Sequence, residues 1–199
     1  MTKTLEFFFD FISPTAYVAQ AIVPGIIART GAELKLRPMF LGGVMQATGN
    51  RPPGMVPAKG KYMSEDLARN CKRHGLVLHM NPNFPMMNTR VLTGAMIRLA
   101  DEPEQADRLY KAAWKHIWQR PDGIDTGDEQ AFKAALASEG LDADRLWALG
   151  NDPETKQLLR ANTEEAVARG AFGAPTFFVG DEMFFGHDRL DYVEEALNA

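Results

Sequence analysis

TLEFFFDFISPTAYVAQAIVPGIIART, residues 4–30, carries in order a short aromatic run, a polar break and an apolar helical stretch. Thr4 to Phe9 has the length and aromatic content of a strand. Ser13 followed by Pro14 is a helix-start signal, because serine is a favoured N-cap and the first helical N–H has no partner for proline to remove. The helical pattern continues to about Arg29 and stops at Gly31. Glu33 to Phe40 then alternates, with Leu34 and Leu36 on one face and Lys35 and Arg37 on the other, ending near Pro38. Strand, helix and strand make a βαβ opening.

The other end of the chain answers it. Pro153 opens a helix that stops at Gly170, Thr176–Val179 and Glu182–Phe185 flank Gly180-Asp181 as a two-residue hairpin turn, and Asp188 caps a final helix. Between Leu41 and about Asp152 no strand signal occurs. A loop rich in glycine and proline (Gly42, Gly43, Gly49, Pro52, Pro53, Gly54, Pro57) leads into helices predicted at about 61–74, with Gly75 as stop, and 88–101, with Asn88 as cap. Three more are predicted at 103–119 behind Pro103, 128–138 and 141–149. A βαβ start with an α-β-β-α finish is the element order of a thioredoxin-like domain. The expected fold class is therefore α/β: a thioredoxin-like domain from residues 1–40 and 153–199, with a large all-α insertion domain over 41–152.

Composition narrows the partners. The 199 residues are 45% hydrophobic, enough for a real core, and the formal net charge of -4 comes with scattered rather than clustered Lys and Arg. Nucleic acid and anionic membrane are excluded as expected partners in favour of a small soluble ligand. No run approaches the ~20 apolar residues of a membrane span, and the N-terminus lacks a secretory pattern, so a cytoplasmic location is expected. Cys71 is the only cysteine, which excludes an intramolecular disulfide, a Cys-x-x-Cys couple and a cysteine-cluster metal site. It recurs at helical spacing with Met63, Leu67 and His74, which reads as core packing. His74, His79 and His116 show no ligand spacing, so no metal is expected.

Two places carry chemistry. Ser13 sits where a strand ends and a helix begins; it reads as an ordinary N-cap, and equally as a place where a thiolate meets free amides, partial positive charge and a hydroxyl together. Such surroundings lower a thiol pKa from ~8.5 toward neutrality. Ala174-Pro175 directly precedes the hairpin. A proline there reads as a strand entry, or as a cis bond that exposes the Ala174 backbone for antiparallel pairing with an extended peptide ligand.

Taken together, Phe9-Asp10-Phe11-Ile12-Ser13-Pro14, the run Gly170 to Val179 and Phe185-Gly186-His187-Asp188-Arg189-Leu190 resemble the bacterial 2-hydroxychromene-2-carboxylate isomerases. Gly49-Asn50-Arg51-Pro52-Pro53-Gly54, Pro57, Lys59-Gly60 and Tyr62-Met63 look especially like the kappa-class glutathione transferases. The resemblance spans essentially the whole chain in order and spacing. It implies glutathione as cofactor, with the Ser13 hydroxyl on its sulfur, Asn50 and Lys59 contacting it from the helical part, the Ala174 backbone before Pro175 pairing with its cysteinyl unit, and Asp188 meeting its γ-glutamyl ammonium. Each has a plainer reading: Asn50 as a turn residue, Lys59 as a solvated charge, Asp188 as an N-cap. His187 stands where the kappa class commonly has serine and is a further candidate contact. Thr15 stands where an aromatic residue is common, which alters the pocket wall. The resemblance also implies a homodimer.

For activity the resemblance implies a glutathione-dependent isomerase, in which the thiolate adds to the conjugated ring-opened form of an aromatic chromene acid, rotation follows and elimination returns the thiolate. A kappa-type transferase or peroxidase, consuming glutathione on hydrophobic electrophiles, is the alternative; a non-catalytic glutathione-binding module is a third reading, of another class. A disulfide oxidoreductase is excluded, because Ser13 and Ala16 occupy the positions that need cysteine. Met86-Met87 suggests an adaptable pocket wall.

Overall fold

Alternation along Thr4–Phe9 sets the two faces of the sheet, because successive strand side chains point to opposite sides. In the computed structural model, which describes residues 2–199, strands β1 (Thr4–Phe9), β2 (Glu33–Pro38), β3 (Thr176–Val179) and β4 (Glu182–Phe185) form one sheet in the order β2-β1-β3-β4. β1 runs parallel to β2, with Phe7 opposite Leu36, and antiparallel to β3, with Phe7 opposite Phe177. β3 and β4 form the expected hairpin. The helices are α1 (Pro14–Thr30), α2 (Leu41–Thr48), α3 (Pro57–His74), α4 (Arg90–Arg98), α5 (Pro103–Trp118), α6 (Glu129–Ser138), α7 (Ala143–Asn151), α8 (Pro153–Ala168) and α9 (Leu190–Asn198). This is the α/β, thioredoxin-like order read from the sequence. No described helix is long and apolar enough to cross a membrane.

Leu5, Phe7 and Phe9 face a core that takes in Val23 and Ile26 of α1, Val193 and Leu197 of α9, and also Leu92, Leu109, Trp114, Phe132 and Leu136 from α4, α5 and α6. The helical segment therefore shares its packing with the sheet. The Phe7 and Phe177 rings stack with centres 4.8 Å apart. On the opposite face Phe8 and Phe178 pack with Met39, Val44 of α2 and Ala166 of α8. Glu6 lies on this second face, where it bonds Arg37 at 2.7 Å and Arg169 at 2.5 Å. Burial alone raises the Glu6 carboxyl, but Arg169, Arg37 and Lys35 together hold it below the usual carboxylate range. The Arg169 guanidinium sits 3.8 Å from the centre of the Phe178 ring, so the ion pair also covers apolar surface.

An aromatic group joins the chain just after β1 to α5. The Trp118 indole N–H donates to the Phe11 carbonyl at 2.8 Å, and Trp114 packs 4.8 Å from Phe11, 5.9 Å from Phe9 and 6.1 Å from Tyr17, between ring centres.

Four sequence expectations need correction. Residues 41–60 are not one loop: α2 occupies Leu41–Thr48, a 3-10 turn Pro53–Met55 follows, and α3 starts at Pro57 rather than 61. Gly42 and Gly43 read as breakers, yet a Cβ on Gly42 would lie 2.7 Å from the Phe40 ring, and one on Gly43 would lie 3.2 Å from both Phe40 and Thr163 of α8. Their small size lets the helix close onto its neighbours, and tertiary contact outweighs propensity. Asn88 is not the cap of α4. The cap position is Thr89, and the Asn88 side chain instead accepts from the Arg90 N–H at 3.2 Å. α7 starts two residues late, because Asp142 caps it by accepting from the Arg145 N–H. Asp188 does not cap the last helix: it lies in a 3-10 turn, His187–Arg189, and α9 begins at Leu190 with no side-chain cap bond.

Candidate active site

Asp10 directly follows β1 and is fully buried. Its backbone carbonyl accepts from the Ser13 N–H at 3.0 Å. Its carboxylate accepts from the Ile12 N–H at 3.2 Å, the Leu41 N–H at 2.9 Å and the Thr89 hydroxyl at 2.5 Å. Burial pushes the carboxyl up from the ordinary aspartate range, against the pull of those three bonds. One side chain thus ties the end of β1 to the starts of α2 and α4, and the turn that presents Ser13 is fixed from behind.

Ser13 is the N-cap of α1, in extended conformation, and its Oγ accepts from the Ala16 N–H at 3.1 Å. No acidic side chain sits in the first turn to offset the positive helix end. The Ser13 hydroxyl, 161 residues away in sequence from Ala174, donates to its carbonyl at 3.1 Å; the Thr15 hydroxyl donates to the same oxygen at 3.1 Å, and the two hydroxyls are 3.0 Å apart. The Ala174–Pro175 peptide is cis. The Pro175 carbonyl accepts from the Gly186 N–H at 3.0 Å, which brings the 186–188 turn beside it.

Asn50 is held next to this loop. Its amide donates to the Phe172 carbonyl at 2.7 Å and its Oδ1 accepts from the Arg51 N–H at 2.8 Å, so the turn reading of Asn50 describes part of its bonding. Lys59 lies exposed in the first turn of α3, and among the described residues no hydrogen bond or ion pair joins it to the others. Asp188 is exposed and pairs with Arg189 at 2.8 Å. His187 is buried, and its Nε2 has no hydrogen-bond partner among the described residues. Burial pushes the imidazole down, despite the opposing charges of Asp188 and Asp66, so the ring is neutral at neutral pH.

Gly186 has φ of 100°, and a Cβ there would lie 2.5 Å from Asp188 Oδ1. Gly186→Ala is expected to displace the Asp188 carboxylate and to destabilise the fold by about 1–3 kcal/mol, read as a fall in melting temperature. An unchanged melting curve would show that the turn absorbs the side chain.

Cys71 of α3 is buried with Leu67 of the same helix and Val18 of α1, and burial pushes its thiol up, the opposite of an activated nucleophile. Met87 is buried in the core while Met86 is 87% exposed, so the pair does not form one wall. The described residues hold no group of three or more His, Cys, Asp and Glu side chains placed for a metal. A groove of about 860 Å³ lies between α2, α4, α7 and α8, lined by Phe40, Gln46, Arg90, Thr155, Lys156 and Arg160 among others. None of the seven sequence-derived site residues lines it, so size alone does not locate the chemistry.

The Asp10 carboxylate, Thr89, the Phe172 carbonyl and the Thr15 hydroxyl escaped the sequence reading. Asp10 carried a signal, as a lone charge inside an aromatic run, which a folded chain buries only with partners; Thr15 was singled out for the pocket wall and not for its hydroxyl.

A family model described as a DSBA-like thioredoxin domain matches residues 4–198. The chain is 36% identical to a 2-hydroxychromene-2-carboxylate isomerase of Sphingobium xenophagum over 200 residues, covering 99% of each chain. It is 28% identical to glutathione S-transferase kappa 1 of Homo sapiens, over 99% of this chain and 92% of that one. A solved structure of a 2-hydroxychromene-2-carboxylate isomerase superposes with a TM-score of 0.85 at 26% identity, over 98% of this chain and 94% of that one. A domain-family match across almost the whole chain, and an isomerase relative matched end to end, carry the assignment: the chain belongs to the DSBA-like thioredoxin-domain family, in its branch of 2-hydroxychromene-2-carboxylate isomerases and kappa-class glutathione transferases.

Proposed function

We propose that the protein is a glutathione-dependent isomerase that interconverts 2-hydroxychromene-2-carboxylate and trans-o-hydroxybenzylidenepyruvate in aromatic catabolism, with the glutathione thiolate held at Ser13. The observation that carries this reading is a buried serine hydroxyl, in place of a cysteine, at the uncompensated N-terminus of α1 and 3.1 Å from the carbonyl preceding a cis proline. A site of that design suits a sulfur brought by a ligand. The isomerase relative matched over its full length supports the same reading.

The donor set fits glutathione. Ser13 and the helix end favour a negative sulfur, since hydroxyl, amide and dipole all stabilise the ionised form. The Ala174 backbone offers an edge for the cysteinyl unit, and Asp188 an anion for the ammonium. Asn50 and Lys59 supply donors for carboxylates; the Asn50 amide keeps one N–H beyond the bond it makes to Phe172. The buried His187 Nε2, without a partner among the described residues, is a polar atom that a ligand would satisfy. When bound, glutathione supplies the nucleophilic thiol and leaves unchanged. This chain's part is to hold that sulfur ionised at Ser13 and to fix its direction with the residues around Ala174.

A kappa-type transferase is the second reading, favoured by the 28% identity to the human kappa enzyme over 99% of this chain. Incubating purified protein with the chromene acid, with and without glutathione, separates the two. Isomerisation requires a spectral change that depends on glutathione with no loss of it; stoichiometric loss on an electrophilic aromatic substrate would establish the transferase. No effect of glutathione on any turnover would sink both. A homodimer is inferred from the family and is read directly by light scattering.

A further inference from the structure

Three oxygens meet at the start of α1: Ser13 Oγ, Thr15 Oγ1 and the Ala174 carbonyl, each 3.0 or 3.1 Å from the other two. They share two protons, one from each hydroxyl, because the carbonyl only accepts. Ser13 Oγ also accepts from the Ala16 N–H, so its single proton is its only means of donating.

That proton has two claimants once a thiolate lies beside Ser13. Turning it to the sulfur withdraws it from the Ala174 carbonyl, whose residue is only 8% exposed, and a buried acceptor left without a donor is costly. Thr15 removes the conflict. It keeps donating to the Ala174 carbonyl at 3.1 Å, so that oxygen stays satisfied when the Ser13 O–H turns to the sulfur. That bond is not open to a side chain without a hydroxyl at this position.

We propose that Thr15 is a positioning residue that releases the Ser13 hydroxyl to stabilise the bound thiolate. This rests on the reading of Ser13 as the thiolate's partner. Thr15 sits at the second position of α1 and is half-buried, so Thr15→Val keeps the branched shape while deleting the proton.

The test is the ultraviolet thiolate absorbance of bound glutathione, titrated against pH in wild type, Thr15→Val, Thr15→Ala, Thr15→Ser, Ser13→Ala and Ser13→Ala/Thr15→Val. Thr15→Val and Thr15→Ala are expected to raise the pKa of bound glutathione by about one unit, the scale of a weakened hydrogen bond to a charged group. Thr15→Ser restores the wild-type curve. In the Ser13→Ala background, Thr15→Val adds no further shift, because Thr15 acts through Ser13. A wild-type curve from whichever of the Val and Ala variants folds overturns the proposal. An equal shift with and without Ser13 also overturns it, by showing that Thr15 touches the sulfur directly. If glutathione bound to wild type titrates as free glutathione does, the thiolate reading itself fails and this inference with it.

Discussion

Replacing Ser13 with alanine is expected to raise the pKa of bound glutathione by about one to two units and to cut turnover near neutral pH by roughly tenfold or more. The variant deletes one hydrogen bond to a charged sulfur while the positive end of α1 remains, so the thiolate is weakened and not abolished. A raised thiol pKa means less thiolate at pH 7 and more as pH rises, so activity recovers partly in alkaline solution. Affinity for glutathione falls less than turnover, because the contacts assigned to Asn50, Lys59, Ala174 and Asp188 are untouched. Ser13 is also the cap that accepts the Ala16 N–H, so about 1 kcal/mol of stability goes with it, and the titration is run on folded protein. Thr15 still donates to the Ala174 carbonyl in the variant, which limits structural damage. Superimposable thiolate titrations in wild type and Ser13→Ala would reduce Ser13 to a helix cap.

Asp10→Ala is expected to lower the melting temperature by roughly 10 °C, from the loss of about 3–5 kcal/mol. The carboxylate is the acceptor for three donors from three different elements, and alanine leaves the Ile12 and Leu41 amides and the Thr89 hydroxyl facing a gap. Asp10→Asn is expected to fall between the two, since it keeps one acceptor oxygen but turns an N–H₂ toward one of the donors. The gap between wild type and Asp10→Ala also depends on pH. Burial raises the folded-state pKa of Asp10, so its contribution is complete below the unfolded value of about 3.9 and is lost as pH rises through the folded value; the gap is widest in acid. Thermal denaturation followed by circular dichroism at several pH values tests both points. A fall of only a degree or two would mean that β1, α2 and α4 are held together without Asp10.

The ends of the chain were legible because their elements are local and punctuated. Ser13-Pro14 and Gly31 bracket α1, and Gly180-Asp181 separates two short aromatic strands. The α2 segment was hidden because Gly42 and Gly43 are poor helix formers in isolation; only Phe40 and Thr163 explain why they are small. Asp188 reads as a cap because it precedes an apolar run, but Gly186, with its positive φ, first turns the chain into a 3-10 turn. Ser13 and Ala174-Pro175 were each visible as local signals. Their meeting was implied only by the resemblance, which put both on one glutathione; the bonds from Ser13 and Thr15 to Ala174 join residues 161 and 159 positions apart, a distance that no periodicity or propensity reaches. Lys59 marks the opposite case, a position taken from resemblance that no bond among the described residues ties to the rest of the site.

The aromatic group between α5 and Phe11 makes the protein a fluorescent reporter of its own site. Of three tryptophans, Trp114 and Trp118 are fully buried and lie against the segment that ends in Ser13, whereas Trp147 packs on Phe132 in α6 and is half-buried. Emission from the first two therefore depends on how Phe11 and its neighbours sit. Tyr17 and Tyr110, with ring centres 6.1 Å and 5.9 Å from Trp114, are close enough to pass excitation to it. A ligand that shifts the Ser13 turn changes blue-edge emission without any added dye, while a soluble quencher preferentially dims Trp147 and leaves that signal clean.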